Sequence, residues 1–244
     1  MFMTIERWQF KQYPQLLEQM YRLRAAVFKD QLDWEVAVTD GMERDDYDSL
    51  NPIYLIWCDS ARKQLFGSLR MLPTTGPTLL YDVFRETFPR NTDLVAPGIW
   101  EGTRLCVDEN AIAVNYQGMA PSRSFCIMLL ALCETALANG IHTMISNYEP
   151  PMLRLYRMAG ARIEVLGKAD KYGKRPVCAG AFEVSQQVLR QMRRKIGMPC
   201  SLFLPLHENW LAEPLIAPGF SARPAAPVVG TWQLDKHAAQ GLAG

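Results

Sequence analysis

The sequence predicts an α/β fold, a mixed β-sheet sandwiched between helices, and three observations lead there. Of the 244 residues, 49% are hydrophobic and 21% charged, enough apolar surface to outweigh the ordering entropy of one sizeable domain. Apolar runs of strand length recur at 53–58, 64–72, 99–107, 141–146, 161–167 and 177–184. Segments with helical spacing alternate with them, the pattern of a sheet covered by helices.

Residues 14–29 place Leu16, Leu17, Met20, Leu23, Val27 and Phe28 at helical spacing, with Pro14 suited to the first turn. IYLIWC (53–58) and QLFGSLRML (64–72) flank the polar DSARK, which predicts an antiparallel hairpin. A short helix is expected over 79–88. Prolines at 89 and 97 then mark a loop before the strand IWEGTRLCV, whose apolar pattern Glu101 and Arg104 interrupt. The helix from Ser122 to Asn139 has a serine suited to its N-cap and Gly140 as its stop. After a strand at 141–146, a helix entered through Pro151 ends at Gly160. Strands at 161–167 and 177–184 follow, and Ser185 caps a final basic helix. From Pro214 onward prolines, glycines and alanines dominate without period. The expected division is a domain over 1–200 and a partly extended or mobile C-terminal extension over 201–244.

The six cysteines, at 58, 106, 126, 133, 178 and 200, form no CxxC pair, so reduced and mostly buried thiols are expected. The three histidines, at 142, 207 and 237, are not at ligand spacing, and no metal is expected. The opening MFMTIERWQF lacks a charged start followed by an apolar run, and no eighteen consecutive residues are apolar. No membrane insertion and a cytoplasmic location are the expectation. Net charge is +1 but unevenly spread. Residues 30, 33, 35, 40, 43, 45, 46 and 48 are acidic against the single Arg44, a segment able to face a cation. Between Pro150 and Lys195 eleven Lys or Arg face three acids, including Arg190, Arg193, Arg194 and Lys195. That surface suits an anion or an acidic partner, or is simply a solvated helix face. Without an overall basic excess or a binding motif, a nucleic-acid partner is not expected.

Two groups of residues suggest chemistry. Arg24, Phe28 and Trp34 lead into GMERDDYD, which carries Glu43, Asp45 and Asp48. Aromatic faces attract a positive centre, and carboxylates hold an ammonium or ribose hydroxyls, so a sulfonium nucleotide such as S-adenosylmethionine satisfies both. Taken alone, Phe28 and Trp34 read more readily as core residues beside a solvated acidic loop. In the second group Arg70, Glu101 and Arg104 lie on strands, where buried charge needs a partner. An Arg70–Glu101 ion pair is the expectation, whether structural or orienting a substrate carboxylate.

RLRAAVF, LDW, ERDDYD, SLRMLPTTGPTLL, DVF and IWEGTRLCV follow the order and spacing of the LuxI-type autoinducer synthases, and the chain resembles these acyl-homoserine-lactone synthases over roughly residues 20–185. The residues held in common are Arg24, Phe28, Trp34, Glu43, Asp45, Asp48, Arg70, Phe84, Glu101 and Arg104. The resemblance implies a three-layer αβα sandwich with a mixed central sheet, similar to the N-acetyltransferase fold. It implies transfer of an acyl group from acyl carrier protein or acyl-CoA to the amine of S-adenosylmethionine, then lactonisation with release of methylthioadenosine. S-adenosylmethionine would be a consumed substrate, so no cofactor is expected. For that reaction Glu101, directly or through water, is the expected base, Glu43 is the alternative since spacing does not say which carboxylate reaches the amine, and Arg70 completes the expected catalytic set. Arg24 and Arg104 would hold the amino-acid carboxylate, with Phe28, Trp34, Asp45 and Asp48 gripping the rest.

In the family a hydroxyl associated with 3-oxo acyl chains falls at Ser146, and Thr143 is the less favoured choice because it points to the opposite strand face. Met128, Leu129, Met144 and Leu153 are candidate walls of the acyl cleft, or ordinary core. The chain departs at Leu105, where many members have Phe, and beyond about residue 200. NYQGMA (115–120) is similar to the end of an acetyltransferase pyrophosphate loop, and a plain turn explains it equally well. Two competing readings are an acyl-CoA-dependent N-acetyltransferase with another amine acceptor and a catalytically silent acyl- or nucleotide-binding domain.

Overall fold

The computed structural model describes residues 1–172 and 175–203. The expected C-terminal extension, apart from its first three residues, lies outside the described residues. In chain order the elements are β1 (Phe2–Ile5), α1 (Pro14–Arg24), β2 (Val38–Thr39), β3 (Met42–Glu43), β4 (Ile53–Cys58), β5 (Leu65–Pro73), α2 (Leu79–Asp82) and β6 (Ile99–Val107). Then come α3 (Glu109–Asn115), α4 (Pro121–Ala138), β7 (Thr143–Tyr148), α5 (Met152–Ala159), β8 (Ile163–Ala169), β9 (Val177–Glu183) and α6 (Gln186–Ile196).

Seven strands form one sheet in the order β1-β4-β5-β6-β7-β9-β8, while β2 and β3 pair separately. The sheet is mixed: β6 and β7 run parallel and all other neighbours antiparallel. Directly paired residues share a face, so Tyr54, Arg70 and Thr103 point the same way. On that face α1 packs Leu16, Leu17, Met20 and Tyr21 against Tyr54, Ile56 and Cys58. Gly67, next to Ser68 in β5, points the other way, where a Cβ would stand 3.2 Å from the Met128 sulfur of α4. Helices thus cover both faces, and the architecture is the expected αβα sandwich. By length and composition α4 could cross a membrane, but it buries Phe125 to Ala131 inside the protein.

The hairpin, the β6 strand, the Gly160 stop and the Ser185 cap form as the sequence predicts; Gly160 is left-handed at φ 82°, and the Ser185 hydroxyl accepts from Val188 N. Elsewhere hydrogen bonds move the boundaries. The first helix leaves the α conformation at Arg24 and continues as a π-turn over Ala25–Gln31, where Leu32 N reaches Val27 O at 3.0 Å. The helix expected over 79–88 shortens to one turn because Phe84 N turns back to Leu79 O at 2.8 Å, and a 3-10 turn follows. The N-cap of α4 is Ala120 rather than Ser122, because Pro121 takes the first helical position, where its missing N–H costs nothing. The strand expected from 141 begins at Thr143, since Ile141 N closes the end of α4 on Ala136 O. Strand β1, the β2–β3 pair and α3, capped by Asp108, were not foreseen.

A bulge at Val165–Gly167 brings β8 against the turn before Phe88. A Cβ at Gly167 would stand 2.6 Å from the Thr87 carbonyl oxygen, with no flexible side chain to yield. Gly167→Ala is therefore expected to lower unfolding stability by about 1–3 kcal/mol, read as a lower urea midpoint.

Candidate active site

Three arginines and three carboxylates meet on the sheet face that α1 covers. Arg24, the last residue of α1, donates from Nη1 and Nη2 to the two Asp48 oxygens at 2.8 and 2.9 Å, and from Nε to Glu43. Arg70, on β5, grips Asp45 with both Nη atoms, reaches Asp48 at 2.9 Å and donates from Nε to the Thr103 hydroxyl at 3.1 Å. Arg104 reaches Glu43 and Asp45, each at 3.0 Å from Nη2. Strict alternation along β6 would turn Arg104 away from Thr103. A bulge there shifts the register between Ser68 and Arg70, Arg104 takes φ 55°, and its side chain joins the others.

The acids arrive from β3 and from the 3-10 turn Asp46–Ser49, where Asp45 and Asp48 cap each other's backbone N–H groups. Tyr54 adds a hydrogen bond to Asp48 at 2.7 Å and is itself in contact with Tyr21. Charges balance within the cluster, which makes its burial tolerable: the Arg24, Glu43 and Arg70 side chains are at most 1% exposed. Burial alone would raise the Asp48 carboxyl, but hydrogen bonds and charge from Arg24, with Arg70, hold it well below the usual carboxylate range. Asp45 (19% exposed) and Arg104 (9%) are the members nearest solvent.

The Arg70–Glu101 ion pair does not form. Arg70 is fully engaged by Asp45, Asp48 and Thr103. Glu101 instead accepts backbone N–H bonds from Leu79 at 3.1 Å and Leu80 at 2.6 Å, at the start of α2. Burial pushes its carboxyl up to about 7, although those two bonds and the Arg70 and Arg104 charges pull the other way.

Beside this cluster lies a cavity of about 420 Å³. Its origin is in the sheet: β6 and β7 pair only over Ile99–Glu101 with Thr143–Ile145. Beyond that point they separate, and the gap is lined by Gly102–Val107 on one side and Ser146–Tyr148 on the other. The cavity therefore passes through the sheet. At one mouth stand Phe28, Trp34, Phe84 and Arg104, with the Arg104 guanidinium 5.0 Å from the Phe28 ring centre and Phe28 and Trp34 5.6 Å apart. At the other end Leu129, Leu132, Met144, Phe182, Val188 and Met192 make an apolar chamber under α4 and α6. Cys106 and Cys133 also line it, and burial pushes both thiols up to about 12. Neither is a ready nucleophile, so acyl transfer through a cysteine thioester is disfavoured.

Of the residues singled out in the sequence, Phe28, Trp34, Phe84, Arg104, Leu129, Met144 and Ser146 are among those that line this cavity. Arg24, Glu43, Asp45, Asp48 and Arg70 form the adjoining charge cluster. The Ser146 hydroxyl donates to Gly102 O across the gap at 2.8 Å. Thr143 points elsewhere, in hydrogen-bond contact with His142 Nδ1. Met128 packs at Gly67, and Leu153 lines a surface pocket with Arg154, Arg157 and Lys195; neither is among the cavity walls. Thr103, Tyr54 and Glu149 were not anticipated. Thr103 was accessible by alternation from Glu101, whereas nothing local marks Tyr54 or Glu149.

A family profile described as autoinducer synthase matches residues 9–192. The chain belongs to the autoinducer synthase family. Over 183 residues this synthase is 38% identical to an acyl-homoserine-lactone synthase of Rhizobium etli, covering 74% of this chain and 82% of that one. A second, from Pseudomonas aeruginosa, is 34% identical over 65% of this chain and 77% of its own. Among solved structures the synthase superposes on the AHL synthase LasI with a TM-score of 0.68 at 28% identity, covering 80% of this chain and 93% of LasI. It superposes on BjaI, described as a CoA-dependent acyl-homoserine lactone synthase with SAM and isopentyl-CoA, with a TM-score of 0.71 at 27% identity, covering 82% and 90%.

Proposed function

We propose that this synthase acylates the amine of S-adenosylmethionine and closes the product to an acyl-homoserine lactone, a quorum-sensing signal, with Glu101 as the base. The observation that carries the reading is the cavity through the sheet, aromatic and charged at one mouth and apolar at the other. A sulfonium nucleotide suits the first end, because Phe28, Trp34 and Phe84 offer π-faces to a cation while Asp45 and Arg104 offer groups for its ammonium and carboxylate. An acyl chain suits the second. The gap between β6 and β7, where Ser146 lies, is where the two would meet.

In the first step the neutral amine attacks the thioester carbonyl, the thiolate leaves, and the amine's proton passes to Glu101. Both Glu101 oxygens already accept backbone N–H groups, yet a carboxylate has about four acceptor sites, so a water can relay the proton. Glu43 is the weaker candidate because Arg24 and Arg104 occupy its oxygens. In the second step the methionyl carboxylate attacks its own γ-carbon and methylthioadenosine departs. The sulfonium is already a good leaving group, so holding the carboxylate in line suffices.

The acyl donor is acyl-CoA or an acyl carrier protein. BjaI is described with isopentyl-CoA. Here Arg154, Arg157 and Lys195 surround a surface pocket beside α5, which suits a phosphate or an acidic carrier. Arg193, counted in the basic segment, turns inward to Glu134 at 3.0 Å and takes no part. The reading carries with it a cytoplasmic location, where both substrates are made, and S-adenosylmethionine as a consumed substrate rather than a cofactor.

Incubation with S-adenosylmethionine and a panel of acyl-CoA and acyl-carrier thioesters should yield methylthioadenosine and an acyl-homoserine lactone in equal amounts by mass spectrometry. Acylation without methylthioadenosine would instead support an N-acetyltransferase with another acceptor.

A further inference from the structure

Trp34 sits in a segment with several backbone ties to its sequence neighbours, and its ring packs on Leu79, Phe84 and Val177. Its backbone N–H donates to Phe28 O at 2.8 Å, Ala37 O accepts from Arg44 N, and Asp40 O accepts from Arg22. The indole Nε1, by contrast, crosses 115 residues of sequence to donate to Glu149 Oε1 at 3.3 Å. Glu149 follows the last residue of β7 and lines the cavity. Its second oxygen accepts from Arg175 at 3.1 Å, while the Glu149 side chain is 16% exposed. The Trp34 ring is thereby bracketed by Phe28 at 5.6 Å, Phe84 at 6.4 Å and a carboxylate at its nitrogen. Ring contacts constrain where the indole lies; a hydrogen bond at its edge adds a directional restraint that fixes the face it presents.

We propose that Glu149 is a positioning residue for S-adenosylmethionine: its carboxylate, steadied by Arg175, locks the Trp34 indole across the cavity mouth and joins the N-terminal segment to the β7 arm. This rests on the reading of the cavity given above and adds to it the group that sets the aromatic wall. Glu149 acts through Trp34 and touches no reacting atom.

Glu149→Ala is expected to raise KM for S-adenosylmethionine roughly tenfold, the loss falling on KM rather than kcat. Glu149→Gln keeps an acceptor oxygen for the indole and should return KM to within about threefold of the parent. Trp34→Phe keeps a ring but loses the donor, and the double variant Trp34→Phe/Glu149→Ala should be no worse than the poorer single one. Tryptophan fluorescence gives a readout independent of turnover: Glu149→Ala should shift the emission of the parent but leave a Trp34→Phe background unchanged. An unchanged KM in Glu149→Ala, a Gln variant no better than Ala, or additive losses in the double variant would each overturn the proposal. A parent enzyme that binds S-adenosylmethionine but makes no lactone would overturn the functional reading alone, because the fluorescence test would still read the Trp34–Glu149 bond. Should the Ala variant fail to fold, the Gln and Trp34→Phe variants carry the test.

Discussion

Glu101→Gln should lower kcat by roughly 10²–10⁴-fold, the usual contribution of a positioned general base, and should abolish the rising limb of the pH–rate profile. The base works only when ionised. With its carboxyl pushed up to about 7 by burial, the parent's rate should climb with pH through that value and level off above it. The variant keeps shape and volume, so S-adenosylmethionine binding, followed calorimetrically, should change far less than turnover. Stability gives a second check with a definite sign. A carboxyl whose folded pKa lies above its unfolded value binds its proton more tightly when folded, so its contribution is fully present at low pH and is lost as pH rises from about 4.5 to about 7. The parent loses that contribution across the window and the variant does not. The parent's unfolding free energy minus the variant's should therefore fall as pH rises through that window. A variant with full turnover and an intact rising limb would remove Glu101 from the base role.

Arg24→Met is expected to destabilise the fold by about 3–5 kcal/mol, the cost of breaking a buried ion pair from one side. The substitution removes the bidentate bonds to Asp48 and the bond to Glu43 while leaving both acids enclosed. Urea denaturation at neutral pH reads the loss. Arg24→Lys should fall in between, because a single ammonium keeps the charge but cannot address Asp48 with two nitrogens and Glu43 with a third. The pH dependence runs opposite to that of Glu101. The Asp48 carboxyl is depressed in the folded chain, so the stability it carries is present above the usual carboxylate range and lost as pH falls. Arg24→Met should flatten the acid limb of the parent's stability curve. An unfolding free energy within about 1 kcal/mol of the parent would mean that the remaining arginines hold the acids without Arg24.

The expected elements came through where periodicity and capping act locally. The hairpin 53–72, the apolar α4 and the Gly160 and Ser185 ends follow from residue type and spacing alone. Elements without such marks were missed: β1 spans only Phe2–Ile5 and gains strand character from pairing with β4. The π-turn at Ala25–Gln31 preserves apolar spacing well enough to read as ordinary helix, yet it is what carries the chain from Arg24 to the buried Phe28.

By itself the sequence determined the chemistry available. Its motif residues named the arginines, acids and aromatics, and the composition ensured a core large enough to enclose them. Partnership was decided only in three dimensions. Arg70 and Glu101 look like a pair when two strands are compared, but Arg70 turns to acids from a loop 22 and 25 residues away. Glu101 finds its donors at the first, buried amides of a one-turn helix. A bulge of one residue brings Arg104 to the cluster, and the parting of β6 and β7 opens the cavity. Hydrogen-bond choice and strand register depend on every neighbour at once, and local spacing does not encode them.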